Sequence, residues 1–358
     1  MWTRSVGILL LVGTVFLGTA VADDDASSLI SKERQAYKSG NYEDAERYGR
    51  NAVDAAERSG DAAEFATALG DLCAVLMAKS QYDESKRLCL KALGILRNID
   101  TKRYLPVVLS TLGALSGRDG DHVQAERYLK ESLRVAQELD PRDLYISIIL
   151  NNLGVFYNRT RDTGLAEKAF KKAIAFIEKE SGRDSVELSP ILNNLGALYV
   201  TRKKWDEAIS QFDRALRLIQ GSFSENHPYV AGVLDNVGTM HYSRKNFAEA
   251  EKAFRRAYTI RLAVFGLKHP VVANTAVALA DTLTAGGRYD EAERLYADAL
   301  QSYQKAVGLQ ALEVATTLDQ MAELFRKTNR TEEAIETEAR AKSIHFELEH
   351  VVRAEQLR

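Results

Sequence analysis

The side chains able to do chemistry are few and scattered. Six histidines stand at His122, His227, His241, His269, His345 and His350. Only His345 and His350 approach the spacing of ligands on one helix face, being five apart where a helix needs three or four. No metal site and no cofactor are expected. The chain contains no His-Glu-x-x-His, no Gly-x-x-x-x-Gly-Lys and no Gly-x-Ser-x-Gly, the arrangements that hold a zinc-bound water, a nucleotide phosphate or an activated serine. The expectation is therefore a protein that is not an enzyme. The two cysteines, Cys73 and Cys89, are sixteen residues apart. Such a pair either bridges in an oxidising compartment, if the Cα atoms come within about 7 Å, or packs as two small apolar thiols. The thiol reading is the preferred expectation, with the disulfide as its alternative. Two Asn-x-Thr triplets, at Asn158 and Asn329, are read as chance.

The bulk properties bound the partner class. With 46% hydrophobic and 27% charged residues in 358, the chain can bury a large core and is not a polytopic membrane protein. A net charge of −2 gives no basic excess to neutralise phosphates, so nucleic acid is not an expected partner. Five prolines, against abundant Ala, Leu, Glu, Lys and Arg, favour helix nearly everywhere.

The first 22 residues differ in kind. One positive charge at Arg4 precedes an uncharged run from Val6 to Val21, ending in Ala20-Val21-Ala22. This has the form of a secretory signal peptide cleaved after Ala22, too short for the roughly 20 residues a membrane span takes. The expectation is a periplasmic or secreted protein without membrane insertion after cleavage.

Self-comparison sets the architecture. Asn151-Asn152-Leu153-Gly154, Asn193-Asn194-Leu195-Gly196 and Asp235-Asn236-Val237-Gly238 follow one another at 42 residues, and a fixed period of that size means a repeat array. The small site at Gly154 continues forward as Ala280 and Ala322 and backward as Gly113 and Cys73. A second small site follows twelve residues later (Ala166, Ala208, Ala250) and a third seven beyond that (Ala173, Ala215, Ala257), with Ala45 and Ala52 marking a degenerate first copy. Small residues recur because helix axes cross closely there. Pro106, Pro141, Pro190, Pro228 and Pro270 all precede a small site, where the first helix of a repeat opens; Asp140-Pro141 reads as cap and first residue. Gly40-Asn41, Gly120-Asp121, Lys203-Lys204, Lys245-Asn246 and Gly286-Gly287 mark the turns inside repeats.

Leu195-Gly196, Tyr199, Ala208, Phe212 and Ala215 resemble the tetratricopeptide repeat. The 42-residue period, the Asn-Asn-Leu triplets and the His227-Pro228 and His269-Pro270 openings are similar to its kinesin-light-chain subtype. The resemblance implies an all-α, right-handed α-solenoid of about eight helix-turn-helix hairpins over residues 23–345, with 346–358 ending a charged capping helix. The terminal copies depart from the pattern, with Glu33 at the first small site, Gly49 in place of an aromatic residue, and Glu338 likewise in the last.

The same resemblance implies that first helices line a concave face and that contacts come from fixed offsets around the small site. That carries the candidate binding residues Arg118, Asn151, Asn158, Arg159, Asn193, Asp235 and Tyr242. Arg118 and Arg159 would make the groove basic in its middle, and Asp235, Asp281, Asp319 and Glu323 would make it acidic later. The expected function is an exported scaffold that binds a protein or extended peptide, such as an assembly factor of an envelope or secretion complex. The alternatives are a self-assembling structural protein and, more remotely, a polysaccharide-associated carrier or enzyme.

Overall fold

The computed structural model describes residues 25–306 and 312–356; the leader segment falls outside them. Among the described residues there are sixteen α-helices and no strand. They pair as α1 (Ala26–Lys38) with α2 (Tyr42–Ser59), α3 (Ala62–Ala78) with α4 (Tyr82–Arg97), α5 (Leu105–Arg118) with α6 (His122–Leu139), and α7 (Tyr145–Arg159) with α8 (Thr163–Glu180). The remaining pairs are α9 (Leu188–Thr201) with α10 (Trp205–Gln220), α11 (Pro228–Ser243) with α12 (Phe247–Phe265), α13 (Pro270–Ala285) with α14 (Tyr289–Ala306), and α15 (Leu312–Lys327) with α16 (Thr331–Gln356). Odd-numbered helices pack closely against the odd-numbered helices before and after them, whereas even-numbered helices reach one another through long ion-paired side chains, such as Arg50 to Glu84 and Arg255 to Glu291. The chain is an all-α solenoid of eight hairpins, with the odd helices on its inner, concave side.

Each hairpin is closed by the same two local devices. A residue in the left-handed region sits at the turn, at Gly40, Ser80, Gly120, Arg161, Lys203, Lys245, Gly287 and Asn329, seven residues after each small site. The close approach of the two helices is then made by a knob sixteen residues after that site. A Cβ added at Gly196 would lie 2.5 Å from Phe212 Cε1, one at Gly238 2.7 Å from Phe254 Cε1, and one at Gly113 2.6 Å from Leu129 Cγ; Phe170 covers Gly154 in the same way. Glycine is required because the ring occupies the volume a side chain would take.

Repeats one and two solve this contact differently. In the first, the sizes are exchanged: Glu33 is large and Gly49 is the space that receives it, with Glu33 Cδ 3.1 Å from the site of an added Cβ. Glu33 is 1% exposed and its Oε2 has no hydrogen-bond partner. Burial, reinforced by Asp71, raises its carboxyl to about 9, so it is held as the neutral acid. In the second, the two knob positions are Cys73 and Cys89, which form a disulfide with Cα atoms 5.7 Å apart. This corrects the preferred expectation of free thiols: the register that presses Phe212 onto Gly196 brings two sulfurs into bonding range.

Helix entries also differ from the sequence reading at one proline. Pro106, Pro228 and Pro270 lie in the first helical turn, as does Pro190 in α9. Asp140, however, is the C-cap of α6, Pro141 lies in the connection, and Asp143 accepts a hydrogen bond from the Tyr145 N–H at the start of α7. Because α7 opens only at Tyr145, Pro141 stays outside it and the aspartate terminates the preceding helix.

The solenoid closes on itself. The α1–α2 turn meets the start of α11, with the Lys38 carbonyl oxygen 3.1 Å from His227 Nε2 and the Pro228 ring 2.8 Å from where a Cβ on Gly40 would stand. Gly40 needs glycine twice over, for its φ of +78° and for that approach. Tyr42 stacks on Phe265 at 5.3 Å between ring centroids, and Phe265 packs against His269 at 4.5 Å. His227 and His269 do more than precede the prolines that open their helices. Each caps a helix, Nδ1 accepting from the Tyr229 and Val271 N–H groups at 3.2 and 3.1 Å, so Nε2 of His227 carries the proton it donates to Lys38.

Protonation would put a hydrogen on the capping nitrogen. Burial lowers the pKa of His227; burial, then Lys79 and Arg261, lower that of His269 to about 4. Unfolded histidine takes its proton near 6.5, before the folded ring does, so the stability supplied by the neutral rings is complete above about 6.5 and is lost as the pH falls toward 4. Asparagine caps a helix without titrating. The double variant His227→Asn, His269→Asn is expected to lose less stability than the parent between pH 7 and pH 5, read from urea denaturation midpoints. An identical pH loss in both proteins would refute the assignment.

Candidate partner-binding groove

The Asn-Asn-Leu triplets build a ladder along the concave side. Asn152 Nδ2 donates to Ser110 Oγ at 2.9 Å, Asn194 Nδ2 to Asn151 Oδ1 at 2.9 Å, and Asn236 Nδ2 to Asn193 Oδ1 at 2.9 Å. In each step the second amide of one triplet reaches the first polar residue of the preceding repeat. Asn151 and Asn193 are therefore half-buried inter-repeat partners as well as groove residues. The sequence signal for this was present in the paired amides themselves, since one exposed amide suffices for a ligand but two in tandem can bond successive repeats.

The ladder ends at Asp235, where no following amide is in register. Arg261 lies 2.5 Å from Asp235 Oδ2 and also donates to Thr275 Oγ1 at 2.6 Å. Asp235 still has a buried oxygen without a partner, and burial raises its carboxyl to about 6 against the pull of Arg261. Its charge is committed within the protein, so it adds little to the acidity of the later groove.

The other expected residues are distributed as follows. Arg118 stands 3.7 Å over the ring of Tyr82 and 3.4 Å from Asp119, which turns it toward the hairpin loop. Asn158 is half-buried and Arg159 exposed at the end of α7; Arg159 lines a cavity of about 100 Å³ with Asn152, His122 and Phe156. Tyr242 is 38% exposed and lies at a second cavity of about 330 Å³ with Asp281, Asp319 and Glu323. The seven residues all lie on odd-numbered helices and do not form one cluster.

A larger recess was missed. Of about 570 Å³, it lies between α1, α3, α5 and α7, with Arg34, Tyr37, Asp71, Tyr104 and Tyr145 in its wall. Arg34 pairs with Asp71 at 2.7 Å and sits 5.7 Å over the Tyr104 ring. Burial raises Tyr37 to about 12 and moves Tyr145 in the same direction, so both phenols remain hydrogen-bond donors. The sequence signal for it was present, since with Glu33 at the first small site Tyr37 stands at the same offset of four that Tyr242 has from Gly238. The groove therefore offers polar donors, aromatic faces and both signs of charge, a set suited to an extended chain and its side chains.

Known proteins share the repeat fold. A curated relative, the anaphase-promoting complex subunit CDC16 of Saccharomyces cerevisiae, is 32% identical over 76 residues, which is 21% of this chain and 9% of that protein; the chain thus spans under a tenth of that relative's length. Among solved structures, Rap protein complexed with Competence and Sporulation Factor superposes with a TM-score of 0.61 at 13% identity, covering 91% of this chain and 99% of that one. Repeats of the Podosopora anserina chain described as a kinesin light chain give a TM-score of 0.48 at 14% identity, covering 56% of this chain and 95% of that one. The sequence profile of the tetratricopeptide repeat matches residues 64–138, 145–218, 187–263, 229–305 and 271–345, and on that match the chain belongs to the tetratricopeptide-repeat family.

Proposed function

We propose that this protein is an exported interaction scaffold that binds an extended polypeptide segment along its concave face. The observation that carries the reading is the inner wall itself, where successive odd helices present amides, phenols, guanidinium groups and carboxylates over most of the solenoid's length. Such groups pair with peptide backbone and charged side chains without demanding a folded surface. Rap protein, of similar fold, was solved with Competence and Sporulation Factor bound, and that mode of use is carried to this chain as part of the proposal. The Cys73–Cys89 bridge is in keeping with an oxidising compartment, as is the leader-like sequence of residues 1–22. No described helix is long and apolar enough to cross a membrane. An adaptor that holds the unfolded ends of proteins outside the cytoplasm, for instance during envelope or secretion-complex assembly, fits these features.

Asn158 and Arg159 give the cleanest test, because Arg159 makes no ion pair among the described residues, whereas Asn151 and Asn193 hold up the ladder. The purified protein is expected to bind a subset of an array of acetylated random dodecapeptides. The double variant Asn158→Ala, Arg159→Ala should keep its circular dichroism and melting temperature and lose about tenfold in affinity for those peptides, the size of one charge-assisted contact. Undiminished binding would remove these residues from the site, and an array without signal would sink the proposal.

A further inference from the structure

The carboxylates of the later groove differ in their partners. Asp235 has Arg261 at 2.5 Å, Asp319 has the His345 ring Nε2 at 2.9 Å, and Glu323 lies 3.7 Å from Arg326 and 3.9 Å from Lys327, which is in the wall of the same cavity. Among the described residues, Asp281 has no ion-pair partner. Its oxygens accept only from neutral groups, Oδ1 from the Tyr296 hydroxyl at 2.5 Å and Oδ2 from Gln320 Nε2 at 2.7 Å. Burial, opposed by the Tyr296 hydroxyl, raises its carboxyl to about 6, so at neutral pH it is mostly a half-buried charge without a counter-ion.

The surroundings of Asp281 are short of hydrogen-bond donors. Thr284 is 7% exposed, and its Oγ1, in the wall of the same cavity, acts on the neighbouring Tyr296 hydroxyl and keeps lone pairs able to accept. Gln320 Oε1, spent amide nitrogen aside, is buried and unpartnered. The exposed ring of Tyr242 forms another part of the wall and offers an aromatic face to a cation. Three carboxylates (Asp281, Asp319 and Glu323), one cation (Lys327), the unpartnered Gln320 carbonyl oxygen and an aromatic ring around about 330 Å³ favour a ligand that is positively charged and rich in N–H groups.

From this geometry we infer that the cavity between α11, α13 and α15 is a specificity subsite for a lysine or arginine side chain of the bound polypeptide, with Asp281 as its counter-ion and Thr284 and Gln320 as further acceptors. Asp281 is set back from the groove surface, so the charge must arrive on a flexible stem. Lysine and arginine have one, and a chain-terminal amine does not. The inference rests on the proposed peptide-binding role of the groove and adds a residue preference to it.

The test uses the purified protein and a positional-scanning array of acetylated, amidated dodecapeptides, so that side chains supply the only cations. One position should favour lysine or arginine about tenfold over norleucine, and Asp281→Asn should abolish that preference while leaving the norleucine peptides bound as before. Asparagine preserves acceptance from Tyr296, and a melting curve checks the fold. Thr284→Val, which keeps shape and removes only the hydroxyl, should reduce the same preference and serves if Asp281→Asn does not fold. Binding without a cationic preference, or a preference that survives both substitutions, overturns the subsite and leaves the groove reading standing. Absence of binding to every peptide overturns both.

Discussion

Gly196→Leu is expected to destabilise the protein by about 3 kcal/mol, the upper end of the cost of overpacking a filled core. The reason lies in three ring atoms of Phe212, which stand 2.5, 2.8 and 2.9 Å from the position of the first added carbon. Phe212 is itself 1% exposed and has nowhere to withdraw. Leucine is the better helix former by roughly 1 kcal/mol, so the measured loss is already net of that gain. The double variant with Phe212→Ala should be less unstable than the sum of the single changes by at least about 1 kcal/mol, since the new side chain enters the space the ring has left. Urea denaturation of the four proteins gives the cycle. Additive effects would mean that the two residues are not in contact and that the hairpin register is wrong.

The second large effect concerns the pair that stands where other repeats have a glycine and a ring. Replacing both Cys73 and Cys89 by alanine should cost about 3 kcal/mol, the value for closing a loop of this length in the unfolded chain, while also removing two sulfurs that are fully buried. Reductant should lower the denaturation midpoint of the parent and leave that of the variant unchanged. The unreduced parent should weigh two hydrogens less than the reduced one. A parent indifferent to reductant and of full reduced mass would show two thiols instead.

Much of this architecture is legible in the amino-acid order because one spacing rule recurs. Small sites at Gly154, Gly196 and Gly238, with partners at Phe170, Phe212 and Phe254, fix hairpins, turns and the inward faces of helices. The same rule applied to Cys73 and Cys89 would have favoured the disulfide, since residues sixteen apart at these positions touch in every repeat that obeys it. The ladder was less accessible: Asn151 and Asn194 each look like a free groove amide until the rise between repeats brings them to 2.9 Å. Arg261 lies on an outer helix, α12, and nothing in its own repeat indicates that it reaches Asp235. Contacts between Lys38 and His227 were beyond reach, for they depend on the sum of small rotations over several repeats, and an error of a few degrees in each would separate them.

That closure alters how the array unfolds. In an open solenoid each hairpin feels only its neighbours, terminal hairpins fray independently, and stability grows as a sum of local terms. Here the first hairpin is also bonded to residues almost two hundred positions onward, so melting it exposes the aromatic seam formed by Tyr42, Phe265 and His269 and removes a support from the sixth. The two ends of the enclosed stretch thereby report on one another. A chain lying along the inner wall and straightening any intervening repeat would strain the Lys38–His227 contact, and a chain that tightened the coil would reinforce it.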